Sequence, residues 1–176
     1  PHAHPPPPPP PPAPPPAPPP PRPTPPPPHA PKPPGRTSAG PARHFDSALG
    51  QMVNFLGTLQ NEWAGAQAFN NVDTYLAPFI RHDKLSYKQV RQAVQKFVFN
   101  LNTTSRWGGQ SPFTNLTFDL APPKHLANEA VIVGGKLLDS VHGDYAVEME
   151  MFNRAFLDVM SQGDYHGRIF SVPIPT

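Results

Sequence analysis

Asn102-Thr103-Thr104-Ser105-Arg106-Trp107-Gly108-Gly109-Gln110-Ser111-Pro112-Phe113-Thr114-Asn115-Leu116-Thr117-Phe118-Asp119 is the stretch whose reading decides the fold. It leaves a helical pattern, turns at Gly108-Gly109, and reads as a strand from Ser111 to Leu120. Leu116, Phe118 and Leu120 alternate there with hydroxyl and amide side chains. A helix feeding a Gly-Gly turn that opens onto such a strand sets hydrogen-bonding groups beside a ligand.

Upstream, Ser86-Tyr87-Lys88-Gln89 is a capping-box sequence. Tyr87, Val90, Ala93, Val94, Phe97, Val98 and Leu101 trace one face of the helix it opens, with Asn100 and Asn102 suited to its last turn. A first helix is predicted over Phe45–Trp63, where Phe45, Leu49, Met52, Val53, Leu56, Leu59 and Trp63 form a stripe. Gly50 and Gly57 predict close packing where they sit. The span from Ala66 to Phe79, ending at Ala77-Pro78, is a short helix or a loop. Downstream, Ala121-Pro122-Pro123 breaks the strand, and Ala130–Val133 before Gly134-Gly135 is a strand or an edge element. A third helix, capped by Asp144, runs to about Ser161 with Tyr145, Met149, Phe152, Phe156, Val159 and Met160 inward. Gly163 ends it in a left-handed stop. A second main strand spans Arg168–Ile174. Strand, crossover helix, strand gives an α/β class with a right-handed βαβ-like unit.

The 176 residues divide by composition. The first 34 hold 24 of the 31 prolines, so residues 1–40 form a disordered, extended Pro-rich segment and residues 41–176 the foldable part. Arg22, Lys32, Arg36 and Arg43 are the only charged residues before His44 and give +4, while 10 Lys+Arg against 12 Asp+Glu from His44 onward give −2, within a net +2. The basic pI therefore belongs to the arm, and nothing marks the foldable part as a nucleic-acid binder. No apolar run reaches a membrane span and no signal-peptide core is visible, so a cytoplasmic location is the default. With no cysteine there is no disulfide framework and no zinc ribbon. The chain begins at Pro1 and stops within an apparent strand, as a piece of something longer would.

Several residues can carry chemistry. Gly108, Gly109, Gln110 and Ser111 make either a tight turn with local caps or a cradle of backbone donors, amide and hydroxyl for an anionic or hydroxylated ligand. The Gly-Lys-Ser/Thr ending of a P-loop is missing. Arg106 can fork onto a phosphate or pair with a carboxylate such as Asp119. Glu62, Gln67, Asn70, Asn71 and Asp73 form a polar group after the first helix; helix-end capping by Asn71 and Asp73 is its plain role. The histidines are scattered singly, so neither a metal site nor a catalytic triad is predicted, and the Met and Phe stripe of the third helix is core.

Together with Asn61-Glu62-Trp63-Ala64-Gly65-Ala66-Gln67-Ala68-Phe69, Asp73-Thr74-Tyr75-Leu76-Ala77-Pro78-Phe79 and Gly163 to Thr176, the opening stretch resembles the anaerobic, class III glycyl-radical ribonucleoside-triphosphate reductases. The resemblance covers roughly Pro41 to Thr176. It implies a partial α/β barrel of the glycyl-radical and ribonucleotide reductase type, made of helices and first barrel strands. It also implies substrate contacts at Arg106, Gly108, Gly109, Gln110, Ser111 and Asn115, and effector contacts at Glu62, Gln67 and Asp73. The implied partners are ribonucleoside triphosphates, deoxynucleotide or ATP effectors, a second subunit in a homodimer, and a radical-SAM activating enzyme. No cofactor is expected within these residues. The thiyl cysteine, the glycyl radical and the zinc site of the family lie downstream, so the fragment alone is expected to be inactive. The Pro-rich arm departs from the family, whose N-terminal regulatory ATP-binding domain has no counterpart here. A pyruvate formate-lyase-like relative and a non-enzymatic module whose arm recruits SH3- or WW-like partners are the competing classes.

Overall fold

The computed structural model describes residues 39–62, 65–103 and 109–176. The predicted disorder of residues 1–40 falls almost wholly outside them, as do Trp63, Arg106, Trp107 and Gly108. The described elements are α1 (Phe45–Glu62), β1 (Gln67–Phe69), α2 (Val72–His82), α3 (Tyr87–Asn102), β2 (Thr114–Leu116), β3 (Ala130–Val133), β4 (Lys136–Val141), a 3-10 turn over His142–Tyr145, α4 (Ala146–Gln162) and β5 (Ile174–Pro175). β1, β2 and β5 form a parallel sheet with β2 in the centre, and β3 pairs with β4 in an antiparallel hairpin.

The predicted stripes are the buried ones. Phe45, Leu49, Val53 and Leu56 of α1, Val90, Val94, Phe97, Val98 and Leu101 of α3, and Phe152, Phe156 and Val159 of α4 share one core with Leu116 of β2. The expected capping box is formed, with Ser86 N–H donating to Gln89 Oε1 at 2.9 Å. Phe97 is 2% exposed within that core. Phe97→Ala should therefore lower the unfolding free energy by about 3 kcal/mol through lost burial and a residual cavity, as read from urea melts. A loss under about 0.5 kcal/mol, the size of ordinary surface changes, would put that face outside the core.

α2 corrects the reading of Ala66–Phe79. That span divides into β1 and the start of a helix that runs through Pro78 rather than stopping there. A proline inside a helix leaves the carbonyl of the residue four back without its donor. Here that carbonyl belongs to Thr74, and the buried His142 ring donates to it from Nδ1 at 3.2 Å. Since a carbonyl can only accept, this contact places the proton on Nδ1. α1 is likewise capped from afar, with Phe45 N–H donating to Asp83 Oδ2 at 2.8 Å. Arg81 forks onto Glu148, Nε at 2.8 Å and Nη2 at 2.7 Å, and joins α2 to α4. That hydrogen bond raises the guanidinium pKa.

The strands are shorter than predicted. β2 keeps only Thr114–Leu116 of Ser111–Leu120, because Pro112 offers no N–H and the chain bends away at Asp119 and Leu120. β5 is only Ile174–Pro175 and shares just Ile174 with the predicted Arg168–Ile174. Residues 164–168 are held instead in a turn, where Asp164 Oδ1 accepts from the N–H groups of His166 and Arg168. The hairpin partner β4 was not predicted. Its signal was Gly134-Gly135 between two apolar runs, and both glycines have positive φ, as a two-residue hairpin turn requires. Two glycine readings also change. Gly50 is exposed with nothing within 4 Å of an added Cβ, so no close packing occurs there. Gly163 ends α4 at φ 72° and ψ −160°, an extended region open essentially to glycine alone rather than the left-handed helical one. An added Cβ there would meet Arg168 O at 2.4 Å.

Candidate functional site

The parallel sheet has two unlike faces. In register, Gln67 pairs with Thr114, Ala68 with Asn115, Phe69 with Leu116, Asn115 with Ile174, and Leu116 with Pro175. Side chains alternate across a strand, so Thr114 and Leu116 point into the core, where both are 0% exposed. Ala68, Phe113, Asn115 and Ile174 fall on the opposite face, where all but the half-buried Asn115 are exposed. At the carboxyl ends of the strands Thr117 Oγ1 donates to Asn70 Oδ1 at 3.2 Å and lies 3.3 Å from Thr176 Oγ1. In open parallel sheets, that end is where ligands commonly gather. The amide oxygen of Asn115 is buried without a hydrogen-bond partner. An orphaned acceptor of that kind costs about 1–3 kcal/mol until a donor reaches it.

Behind the carboxyl ends lies a knot of carboxylates. Asp73 is 0% exposed. Its Oδ1 accepts from the N–H groups of Thr74 at 3.0 Å and Asp119 at 2.9 Å. Its Oδ2 accepts from Leu120 N–H at 2.8 Å and Asn153 Nδ2 at 2.9 Å. Asp119 in turn accepts from Asn71 Nδ2 and Thr74 Oγ1. These bonds tie the exits of β1 and β2 to α4. Asn71 sits at the N-cap in the left-handed region without a side-chain cap bond, so its amide serves Asp119 rather than the helix end. Asp73 acts inward as well, and both of its oxygens are occupied.

At the other end of the sheet, Gly109 has φ 103° and open space around an added Cβ. Gln110 is exposed and Ser111 half-buried. The carbonyl of Gln110 accepts from Gln60 Nε2 at 3.4 Å, which brings the last turn of α1 to this turn. Gln60 was missed in the sequence, since it lies off the apolar stripe and only the fold reveals its neighbour. Its own Oε1 is buried without a partner. Glu62 ends α1, and Gln67 opens β1, its backbone N–H bound to Phe113 O at 2.9 Å. Of the nine residues singled out as contacts, Gln110 and Ser111 thus lie near the end of α1. Asn115 lies on the open sheet face, Asp73 is buried at the far end, and Arg106 and Gly108 fall outside the described residues. Gln67 opens β1 at one end of the sheet, whereas Asp73 lies behind the other.

The family model for anaerobic ribonucleoside-triphosphate reductase matches residues 33–176. The chain belongs to that family. The match favours neither the pyruvate formate-lyase-like class nor the recruiting module. No curated protein matches the chain. Among solved structures, the fold is similar to the anaerobic ribonucleotide reductase of Thermotoga maritima with citrate in the active site, at TM-score 0.61 and 19% identity over 78% of this chain and 25% of that one. The same enzyme in complex with dATP and CTP is similar at TM-score 0.55 and 19% identity, over 71% of this chain and 22% of that one. Another anaerobic ribonucleotide reductase gives 0.60 and 20%, over 79% and 22%. The chain therefore spans about a quarter of the length of these relatives, and the likeness establishes the predicted mixed fold with its parallel sheet. Among the described residues no helix is long and apolar enough to cross a membrane.

Proposed function

We propose that this chain forms the first strands and the effector helix of the catalytic barrel of a reductase that converts ribonucleoside triphosphates to deoxyribonucleotides for DNA synthesis. The observation that carries the reading is the open sheet face with the unpartnered Asn115 amide oxygen, in a chain whose family acts on nucleotides. A ribose hydroxyl supplies the donor that this oxygen lacks. Gly109 leaves room for a phosphate to approach backbone N–H groups, with the Gln110 amide and Ser111 hydroxyl beside it. Arg106 and Gly108 complete the substrate set, the guanidinium meeting phosphate as a fork. Glu62 and Gln67, at the end of α1 and the start of β1, face a deoxynucleotide or ATP effector, with Asp73 a positioning residue from inside the fold.

The family's radical chemistry finds no thiol here, since the sequence contains no cysteine, and it offers no thiolate set for zinc. The glycyl radical, the thiyl cysteine and the zinc belong to other parts of the enzyme. What these residues do is bind and orient. A homodimer in the cytoplasm, activated by a radical-SAM enzyme, is the working form.

Asn115→Ala in the full-length reductase tests the reading. A neutral hydrogen bond contributes about 0.5–1.5 kcal/mol, so kcat/KM should fall about 2- to 13-fold for every ribonucleotide. The melting temperature should not fall, because the lost oxygen had no partner to forfeit and the cost of burying it unpaired is relieved. Unchanged kinetics would remove Asn115 from the site.

A further inference from the structure

Gln60 uses little of what its amide offers, which is an NH2 donor and an acceptor oxygen. Its Nε2 donates to the Gln110 carbonyl at 3.4 Å, near the long limit of a hydrogen bond, and its Oε1 is buried with no partner. Its neighbours on α1 behave otherwise. Thr58 and Asn61 donate to the carbonyls of Asn54 and Gly57 in the same helix, at 2.9 Å and 3.1 Å. Gln60 instead reaches across 50 residues of chain to the turn before β2. That turn is hinged at one end and fixed at the other. Gly109 has φ 103° with open space about it, while Pro112 is buried and its ring holds φ. Between them Gln110 and Ser111 form a short lever, set against a helix that Val53 and Leu56 fasten to the core. A loose bond, an orphaned acceptor and a hinged turn mark an element with a second arrangement, in which an N–H of the turn comes to Oε1.

We infer that Gln60 is the positioning residue that couples the effector end of α1 to the substrate-side turn, holding the turn by the Gln110 carbonyl in one state and by an N–H group in the other. This rests on the effector and substrate roles proposed above for the end of α1 and for Gln110 and Ser111. Coupling between two sites needs an element whose two arrangements both ligands bias, and here that element is a single amide. Glu62 ends α1 and Gln67 opens β1, so an effector bound there shifts the last turn of α1 and the Gln60 amide with it. Gln110 and Ser111 hold the phosphate end of the substrate. Moving them slides the whole nucleotide, and each base fits one arrangement better than the other.

The test compares the full-length reductase with its Gln60→Met variant, which keeps the length and helix propensity of the side chain and removes the amide. Ribonucleoside triphosphates are turned over in competition, with ATP, dATP, dGTP or dTTP as the effector. In wild type the effector changes the ratio of kcat/KM between ribonucleotides. In Gln60→Met that change should shrink about 2- to 13-fold, the worth of one neutral hydrogen bond, while the effector Kd measured without substrate holds. An undiminished change overturns the inference. So does weaker effector binding, which would make Gln60 a ligand contact, or an equal loss for every substrate, which would make it a prop for the turn. If wild type itself shows no effector dependence, the effector reading falls and takes the inference with it, a result distinct from all the others. Should Gln60→Met fail to fold, Gln60→Glu keeps the size and the acceptor but loses the donor, and the same shrinkage is expected.

Discussion

Asp73→Ala is expected to lower the unfolding free energy by about 4–6 kcal/mol, since removing one partner strands buried donors at about 1–3 kcal/mol each. The bonds at stake come from Thr74, Asp119 and Leu120 N–H and from Asn153 Nδ2. Asp119 and Leu120 are 46 and 47 residues away in sequence and Asn153 is 80, so the loss falls on the junction of β1, β2 and α4. A loss of this size is exceptional for one substitution and diagnostic of a broken buried network. Asp73→Asn should recover only part of it, because its NH2 group would face N–H donors. Chemical denaturation of wild type and both variants checks this. A loss for Asp73→Ala below about 1 kcal/mol, the mean for ordinary substitutions, would show that the carboxylate is dispensable.

That junction also marks the limit of what the chain reveals in sequence. The helices were legible because their apolar spacing fixes which face is buried, as at Phe97 and Phe156. The sheet was legible as parallel but not in length. Whether Pro112 or Pro175 ends a ladder depends on which side of the strand its missing N–H faces, and only the neighbouring strand decides that. Pro78 was misjudged for a related reason. The penalty for a proline inside a helix is a stranded carbonyl, and His142, 68 residues from Thr74, answers it. For the site, sequence chose residue types that can bind nucleotides but could not sort them by depth. Asp73 and Gln110 look alike as polar candidates, yet one is sealed inside a hydrogen-bonded knot and the other stands in solvent. Gln60 had no signal at all, because a glutamine off the stripe is the ordinary dress of a helix surface.

Gln110→Ala is the sharper kinetic probe. Its backbone carbonyl, not its side chain, holds Gln60, so truncation at Cβ should leave folding and dimerisation intact in the full-length reductase. If the side-chain amide meets phosphate, the lost bond is to a charged group, worth roughly 1.5–3 kcal/mol, or about a 10- to 150-fold loss in kcat/KM. The loss should be equal for every ribonucleotide, because sugar and phosphates are common to them while the base is not. A change confined to base preference would instead assign Gln110 to effector signalling through Gln60 and α1. Intact kinetics here, with Asn115→Ala still impaired, would move the ligand from the turn to the open sheet face. The two variants therefore separate the turn that precedes β2 from the middle of that central strand, five positions further along the chain.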